Sequence, residues 1–318
     1  MSRKKITLIG GGQIGGNLAL LCAQKELGDV VIYDIPNAEG MIKGKALDIS
    51  QLTPLDGYDS NIIGSSNPED MKDSDVVIIT AGVPRKPGMN REDLLDINIK
   101  IITDVANNVK KYAPNAFVIV LSNPLDAIVY SFYKVSGFAK NMVVGMAGVL
   151  DSTRFKTFLA METGYSVQDI DCMVLGGHGD TMVPMPNQTT VDGKKLKNLI
   201  NEKKLKEIVD RTRKGGAEII KLLEKGSAFY APAASGVEMA ESYIKDLKKV
   251  LPCAAYLDGQ YGVKDLYAGV PVVIGKNGVE KIEEINLDDK EKSEFMNSVN
   301  AVKKLWEAAS KIDPDLKK

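Results

Sequence analysis

His178 is the only histidine among the 318 residues, and it stands in the run Leu175-Gly176-Gly177-His178-Gly179-Asp180-Thr181. An imidazole, with an ordinary pKa of about 6.5, changes charge near neutrality, so the chemistry it suggests is proton transfer. Glycines on both sides let main chain or ligand approach the ring, since they carry no Cβ. The heptapeptide alone equally allows a half-buried histidine in a turn after a strand.

A second chemical stretch lies near the start of the chain. Gly10-Gly11-Gly12-Gln13-Ile14-Gly15 has the spacing G-x-G-x-x-G, set between an apolar run, Ile6 to Ile9, and an amphipathic run from Asn17 to Leu27 that Gly28 can cap. Strand, glycine loop and helix in that order bind dinucleotides. Gly10 permits the tight turn, Gly12 lets the main chain approach a pyrophosphate, and Gly15 lets the helix pack closely, with the phosphates meeting amide donors at the helix N-terminus. A second strand, Val30 to Tyr33, ends at Asp34, 24 residues past Gly10. Its carboxylate can accept from both ribose hydroxyls and repels a 2′-phosphate, so the expected cofactor is NAD rather than NADP.

Three further sets suit a small anionic substrate. Ala81 to Arg91 is a loop punctuated by glycine and proline that carries Arg85 and Arg91. Such a loop can serve as a lid, and guanidinium forks match carboxylates, although a solvated basic loop has the same composition. Ser122-Asn123-Pro124 follows a strand, Phe117 to Leu121, and so falls where α/β sheets bind ligands, unless it is a simple Asn-Pro turn. Asp151 and Arg154 share one face of a helix from Leu150 to about Glu162. A plain i,i+3 ion pair is one reading of that spacing; the functional reading separates them, Asp151 holding His178 and Arg154 gripping a carboxylate.

The elements that must position these residues alternate regularly at first. Helices are expected over Met41 to Leu52 and Asp93 to Tyr112, and strands over Asn61 to Ile63, Asp75 to Thr80 and Val143 to Gly145. That alternation predicts an α/β fold: a doubly wound parallel (Rossmann) sheet over residues 1–148. Residues 149–318 alternate less regularly and are expected to form a C-terminal α+β substrate domain. There, strands are expected over Asp171 to Leu175 and Met182 to Val191, the latter closed by the Asp192-Gly193 turn. Helices are expected over Glu207 to Glu224, Pro232 to Lys248 and Asp288 to Ser310, with a strand pair around Lys276-Asn277-Gly278, and the charged run Lys194 to Lys214 reads as a solvated helix face.

Composition excludes several classes. A net charge of −1 offers no basic field for nucleic acid. Cys22, Cys172 and Cys253 are scattered and unpaired in sequence, which suggests neither a disulfide framework nor a zinc site, and no metal is expected. No apolar run approaches the roughly 20 residues that span a bilayer, and a strand follows Met1-Ser2-Arg3-Lys4-Lys5 directly, so a cytoplasmic protein is expected.

In order along the chain, GGGQIG, YD at Asp34, ITAGVPRKPGMNR, NIKI at Asn98, LSNP, LDSTRF and GGHGD resemble the lactate/malate dehydrogenase superfamily. The resemblance implies that His178 exchanges a proton with a substrate 2-hydroxyl, that Asp151 orients it, that Arg154 binds the C1 carboxylate and that Arg91 polarises the carbonyl. It also implies that Asn123 meets both substrate and cofactor, and that Gly10, Gly12, Gln13, Ile14, Gly15, Asp34, Asn98, Leu121, Ser122 and Asn123 contact NAD. At the loop position held by Arg85, the family's lactate-specific members tend to carry Gln and its malate-specific members Arg. A second substrate carboxylate can neutralise Arg85, whereas pyruvate would leave a sequestered guanidinium unpaired at a cost on the order of 2 to 5 kcal/mol. The resemblance therefore favours malate and oxaloacetate, with lactate or a bispecific 2-hydroxy acid activity as the alternative.

The segment Ala231-Pro232-Ala233-Ala234-Ser235-Gly236 matches one that faces substrate in the family. A homo-oligomer, tetramer or dimer, is the family's usual state. Two positions depart from the family's pattern: Gly11 replaces a common Ala, and Asn187 stands where many malate-type relatives carry Arg, which puts in doubt any subunit contact made there.

Overall fold

The computed structural model describes residues 3–84 and 91–317, with the main chain alone at 91, 92 and 317. Arg85 lies outside the described residues, and so does the side chain of Arg91.

Among the described residues, six strands occupy the first half: β1 Lys5–Ile9, β2 Asp29–Tyr33, β3 Ile62–Ser65, β4 Val76–Ile79, β5 Phe117–Val120 and β6 Val143–Gly145. Between them run α1 Gln13–Gln24, α2 Glu39–Ser50, α3 Thr53–Asp56, α4 Arg91–Tyr112 and α5 Leu125–Ser136. The strands pair in parallel in the order β3-β2-β1-β4-β5-β6, the doubly wound arrangement. β4 and β5 are buried at every position. Helices on both faces leave such strands no polar side, which is why their sequences, VVII and FVIV, are continuous apolar runs.

α1 differs at both ends from the sequence expectation. It starts straight from the glycine loop and stops at Gln24. Gly28 does not cap it: with φ +156, a Cβ there would lie 2.2 Å from the Lys4 carbonyl oxygen. Glycine is needed because the chain enters β2 pressed against the start of β1.

The second half contains α6 Gly148–Thr163, α7 Glu202–Leu223, α8 Tyr230–Ile244 and α9 Asp289–Ile312. Its strands are β7 Ile170–Asp171, β8 Val174–Leu175, β9 Val183–Pro184, β10 Thr190–Val191, β11 Lys194–Lys195, β12 Lys249–Asp258, β13 Lys264–Gly275 and β14 Gly278–Ile282. The stretch expected as one strand from Asp171 to Leu175 is two pieces in different sheets, β7 against β10 and β8 against β9. Met182 to Val191 is likewise broken, since Pro184 and Pro186 have no N–H to give a ladder. The Asp192-Gly193 turn does join β10 to β11, with Val191 facing Lys194. The run from Lys194 to Lys214 is a strand and a loop before α7 begins at Glu202.

Sequence reading missed β12 and most of β13. Pro252 argues against a strand, yet it sits opposite Pro271 in the antiparallel ladder. In such a ladder alternate pairs exchange no hydrogen bonds, so two facing prolines at one of those pairs cost nothing there. β12 pairs with β6, which extends the parallel sheet by β12, β13 and β14 into one nine-stranded sheet. The main core runs through both halves, with Ile6 in one and Val302 in the other, and a separate smaller one of Phe155, Leu159, Ile170, Val174, Met182, Val191, Leu196, Ile200 and Ile208 lies in the second half. Among the described residues, no helix is long and apolar enough to cross a membrane.

Candidate active site

Asp151 lies in the first turn of α6 and is almost fully buried, with its side chain 2 % exposed. One carboxylate oxygen, Oδ2, is 2.7 Å from His178 Nδ1, and the other, Oδ1, accepts from Arg154 at 3.1 Å. The structure therefore joins the two roles that the sequence reading kept apart: a single carboxylate holds both the imidazole and the guanidinium. Because that carboxylate can only accept, Nδ1 carries the proton and Nε2 is left as the basic nitrogen. Burial by itself depresses the pKa of His178, but the charge and hydrogen bond of Asp151, together with the charge of Asp126, outweigh it and Arg154, and the net shift is upward.

The His178 loop is pinned from several elements. Ser152 on α6 accepts the Val174 N–H at 2.9 Å and so docks β8 beside Asp151. Gly176 pairs with Gly269 of β13, the Gly177 N–H donates to Ser298 Oγ of α9 at 2.8 Å, and the His178 N–H donates to Asp126 Oδ2 of α5 at 3.0 Å. Gly176 needs glycine on two counts, a φ of +83 and a virtual Cβ only 2.5 Å from Ser298 Oγ. Arg154 reaches the same site from α6, and its Nε is buried without a hydrogen-bond partner in the protein. A buried guanidinium with an unclaimed donor beside an acid/base pair suits a carboxylate next to a hydroxyl.

The glycine loop fits a dinucleotide. A Cβ at Gly15 would lie 2.0 Å from the Gly10 carbonyl oxygen, whereas Gly12 faces open space. α1 begins without a side-chain cap or an acidic residue in its first turn, which leaves its amide donors to an anion. Asp34 spends one lone pair of each oxygen on the Gly11 and Ile35 N–H groups, at 2.7 and 2.8 Å. Lys45, which no motif indicated, donates to the carbonyl oxygens of Gly11 and Gly12 at 2.7 and 2.6 Å. Burial lowers its pKa, against the pull of Asp34.

Beside the loop, Leu121 and Ser122 are buried and Asn123 is exposed at the end of β5. Asn98 is 3 % exposed. It accepts the Val83 N–H at 2.9 Å and donates to the Asn123 carbonyl at 2.7 Å, so it ties the main chain at Val83 to the end of β5. Ala231 to Gly236 forms the first turns of α8, and Gly236 faces the side chains of Leu18 and Leu121. Asn187 donates to Asp288, the residue that caps α9, at 2.8 Å. Asp126 and Ser298 were also missed, although Asp126 lies only three residues past Asn123 in a stretch already singled out.

Comparison with known proteins agrees with this geometry. Residues 4–145 match the lactate/malate dehydrogenase NAD binding domain, and residues 148–312 match the lactate/malate dehydrogenase alpha/beta C-terminal domain. A malate dehydrogenase from Pelagibacter ubique (strain HTCC1062) is 64% identical over 99% of this chain and 100% of its own length. The crystal structure of Cryptosporidium parvum malate dehydrogenase superposes with a TM-score of 0.94 at 51% identity, covering 97% of this chain and 99% of that one. The lactate dehydrogenase of the same organism, solved with lactic acid and NAD, gives a TM-score of 0.94 at 47% identity, covering 98% and 99%. With a glycine loop between β1 and α1, a His–Asp–Arg cluster in the second half, and both halves matched in order, the chain belongs to the lactate/malate dehydrogenase family.

Proposed function

We propose that this chain catalyses the reversible NAD-dependent oxidation of (S)-malate to oxaloacetate. The observation that carries the reading is the shared Asp151 carboxylate, which sets the base His178 and the carboxylate-seeking Arg154 side by side. The 64% identity to a malate dehydrogenase supports the choice of substrate. Arg85 is the residue to which we assign the second carboxylate.

The NAD site would be made by Gly10, Gly12, Gln13, Ile14, Gly15, Asp34, Leu121, Ser122 and Asn123, with Asn98 acting through the main chain it holds. NAD bound there supplies hydride exchange at the substrate C2. The chain's own residues handle the rest. Arg154 and Arg85 fix the two carboxylates, and Arg91 and Asn123 meet the C2 oxygen. His178 Nε2 takes the hydroxyl proton during oxidation and returns it during reduction, while Asp151 stabilises the imidazolium. Oxidation thus needs His178 neutral, and reduction needs it protonated.

The same reading carries a cytoplasmic homo-oligomer, tetramer or dimer, with the domain division at 148/149. Leu47 on α2 and Leu55 on α3 are 63% and 81% exposed, as a face covered by another subunit would be. The test of the substrate is NADH oxidation with oxaloacetate and with pyruvate at one pH. A ratio of catalytic efficiencies of several hundred or more in favour of oxaloacetate is expected from an unpaired Arg85 in the pyruvate complex. A ratio near one would make this a lactate or bispecific 2-hydroxy acid dehydrogenase.

A further inference from the structure

His178 has two buried carboxylates against it. Asp151 takes the ring, and Asp126, in the first turn of α5 and 5 % exposed, takes the main-chain N–H. The second oxygen of Asp126, Oδ1, is buried with no hydrogen-bond partner. One amide N–H can be satisfied by a neutral oxygen, so the hydrogen bond alone gives no reason for an ionisable group here, and an unpartnered carboxylate oxygen away from water is costly. Among the described residues its negative charge is opposed by the imidazole of His178.

Among the described residues, the other charges acting on this pair come from α6, as Asp151 and Arg154; α9 and β13 meet the loop with Ser298, Val302 and Gly269. We propose that Asp126 is a positioning residue of the proton-transfer step: it fixes the His178 main chain and sets a second negative charge beside the imidazole, so that the ring's proton affinity answers to two carboxylates. The proposal rests on His178 as the acid/base group. Burial raises the Asp126 carboxyl to about 6, with Asp151 adding to the rise and His178 opposing it. The second charge is therefore present at neutral pH and is withdrawn as the medium becomes acid.

Because the chain has one histidine, its Cε1 resonance in ¹³C-histidine-labelled full-length protein reports on His178 alone. The experiment compares wild type with Asp126→Asn, which keeps an oxygen acceptor for the amide and removes the charge. The His178 midpoint should fall by roughly half to one pH unit in the variant, given the usual effect of a nearby charge. The acid limb of kcat/KM for malate oxidation should move by the same amount, with NADH affinity by fluorescence unchanged. Coincident titration curves would overturn the proposal. Should the variant fail to fold, the wild-type curve decides: a second inflection near 6 supports Asp126, and a single-site curve overturns it. The titration needs no substrate, so an error in the substrate assignment leaves it standing. Unimpaired turnover in His178→Ala would instead remove the premise.

Discussion

The main chains of Gly269 and Gly176 exchange both of their hydrogen bonds, at 2.8 and 3.1 Å, two residues before His178. A Cβ on Gly269 would lie 2.1 Å from the Gly176 carbonyl oxygen. β13 is thus a rest on which the His178 loop is laid, although no atom of Gly269 belongs to the acid/base cluster. Gly269→Ala must push that loop away, and a displacement near 1 Å at a reacting group can cost on the order of 100-fold. The expected result is a loss of kcat of that order with NADH binding retained, read by steady-state kinetics and fluorescence titration. Wild-type kcat would show that the loop is not seated on β13.

Asp151→Asn tests the shared carboxylate. The substitution keeps the shape but removes the charge that offsets burial at His178, so the imidazole should titrate lower than in wild type. An amide can also present its N–H₂ to Nδ1 and so favour the wrong tautomer. Turnover should fall by roughly 100-fold or more, the usual size of a general acid/base contribution. NADH affinity serves as the control, since the hydrogen bonds of the Asp151 carboxylate go to His178 and Arg154. A variant that kept most of its turnover would reduce Asp151 to a structural ion-pair partner of Arg154.

Much of this was legible in the sequence because local chemistry and long-range position coincide there. The glycine spacing at Gly10 to Gly15 points to a dinucleotide loop only together with the strand before it, the helix after it and Asp34, and the parallel strands read correctly because both faces are covered. The joint use of Asp151 could not be read: an i,i+3 spacing places Arg154 near Asp151 but says nothing of a histidine 27 positions on. β12 and the part of β13 before Val272 were hidden by Pro252 and Pro271, whose compatibility appears only when they face each other across the ladder. Lys45 and Ser298 carried no local signal at all, since their partners, among them the main chains of Gly11 and Gly177, are brought close only by the fold.

Asp34→Ser should relax the cofactor preference. In the proposed NAD site Asp34 would accept from two ribose hydroxyls and repel a 2′-phosphate, and removing its charge removes that repulsion. Serine also gives up one of the two acceptors now used by the Gly11 and Ile35 N–H groups, so NAD binding should weaken as well. The ratio of kcat/KM for NADH over NADPH should fall by roughly 10- to 100-fold, as expected for 1.4 to 2.7 kcal/mol. An unchanged ratio would place the discrimination elsewhere.

Arg154→Lys separates charge from geometry. Lysine keeps the positive charge but replaces the planar fork with a compact point donor, which gives up the bidentate match to a substrate carboxylate. Losing one charge-assisted hydrogen bond costs about 1.5 to 3 kcal/mol, so the KM for oxaloacetate should rise by roughly 10- to 150-fold, with NADH affinity unchanged. A wild-type KM would mean that Arg154 serves Asp151 alone.

The charge on Asp126 should also be visible in stability, with a definite sign. Its carboxyl is raised from 3.8 to about 6 by burial in the folded protein. Folding then takes up a proton between those values, so this contribution to stability is fully present below about 4 and is lost as pH rises through about 6. The interval corresponds to roughly 3 kcal/mol at 1.36 kcal/mol per pH unit. His178, raised above 6.5, adds a loss of the same sign at higher pH. Asp126→Asn carries no such burden: relative to wild type it should gain stability as pH rises from about 4 to 6 and hold the gain at pH 8. Urea midpoints at fixed protein concentration, taken at several values across that range, measure the difference directly. A difference independent of pH would show that Asp126 is not a buried ionised group. A difference that grows as expected would mean that the fold sacrifices stability at neutral pH to keep a second charge beside its only histidine, a trade usual at functional sites and without purpose in a merely structural carboxylate.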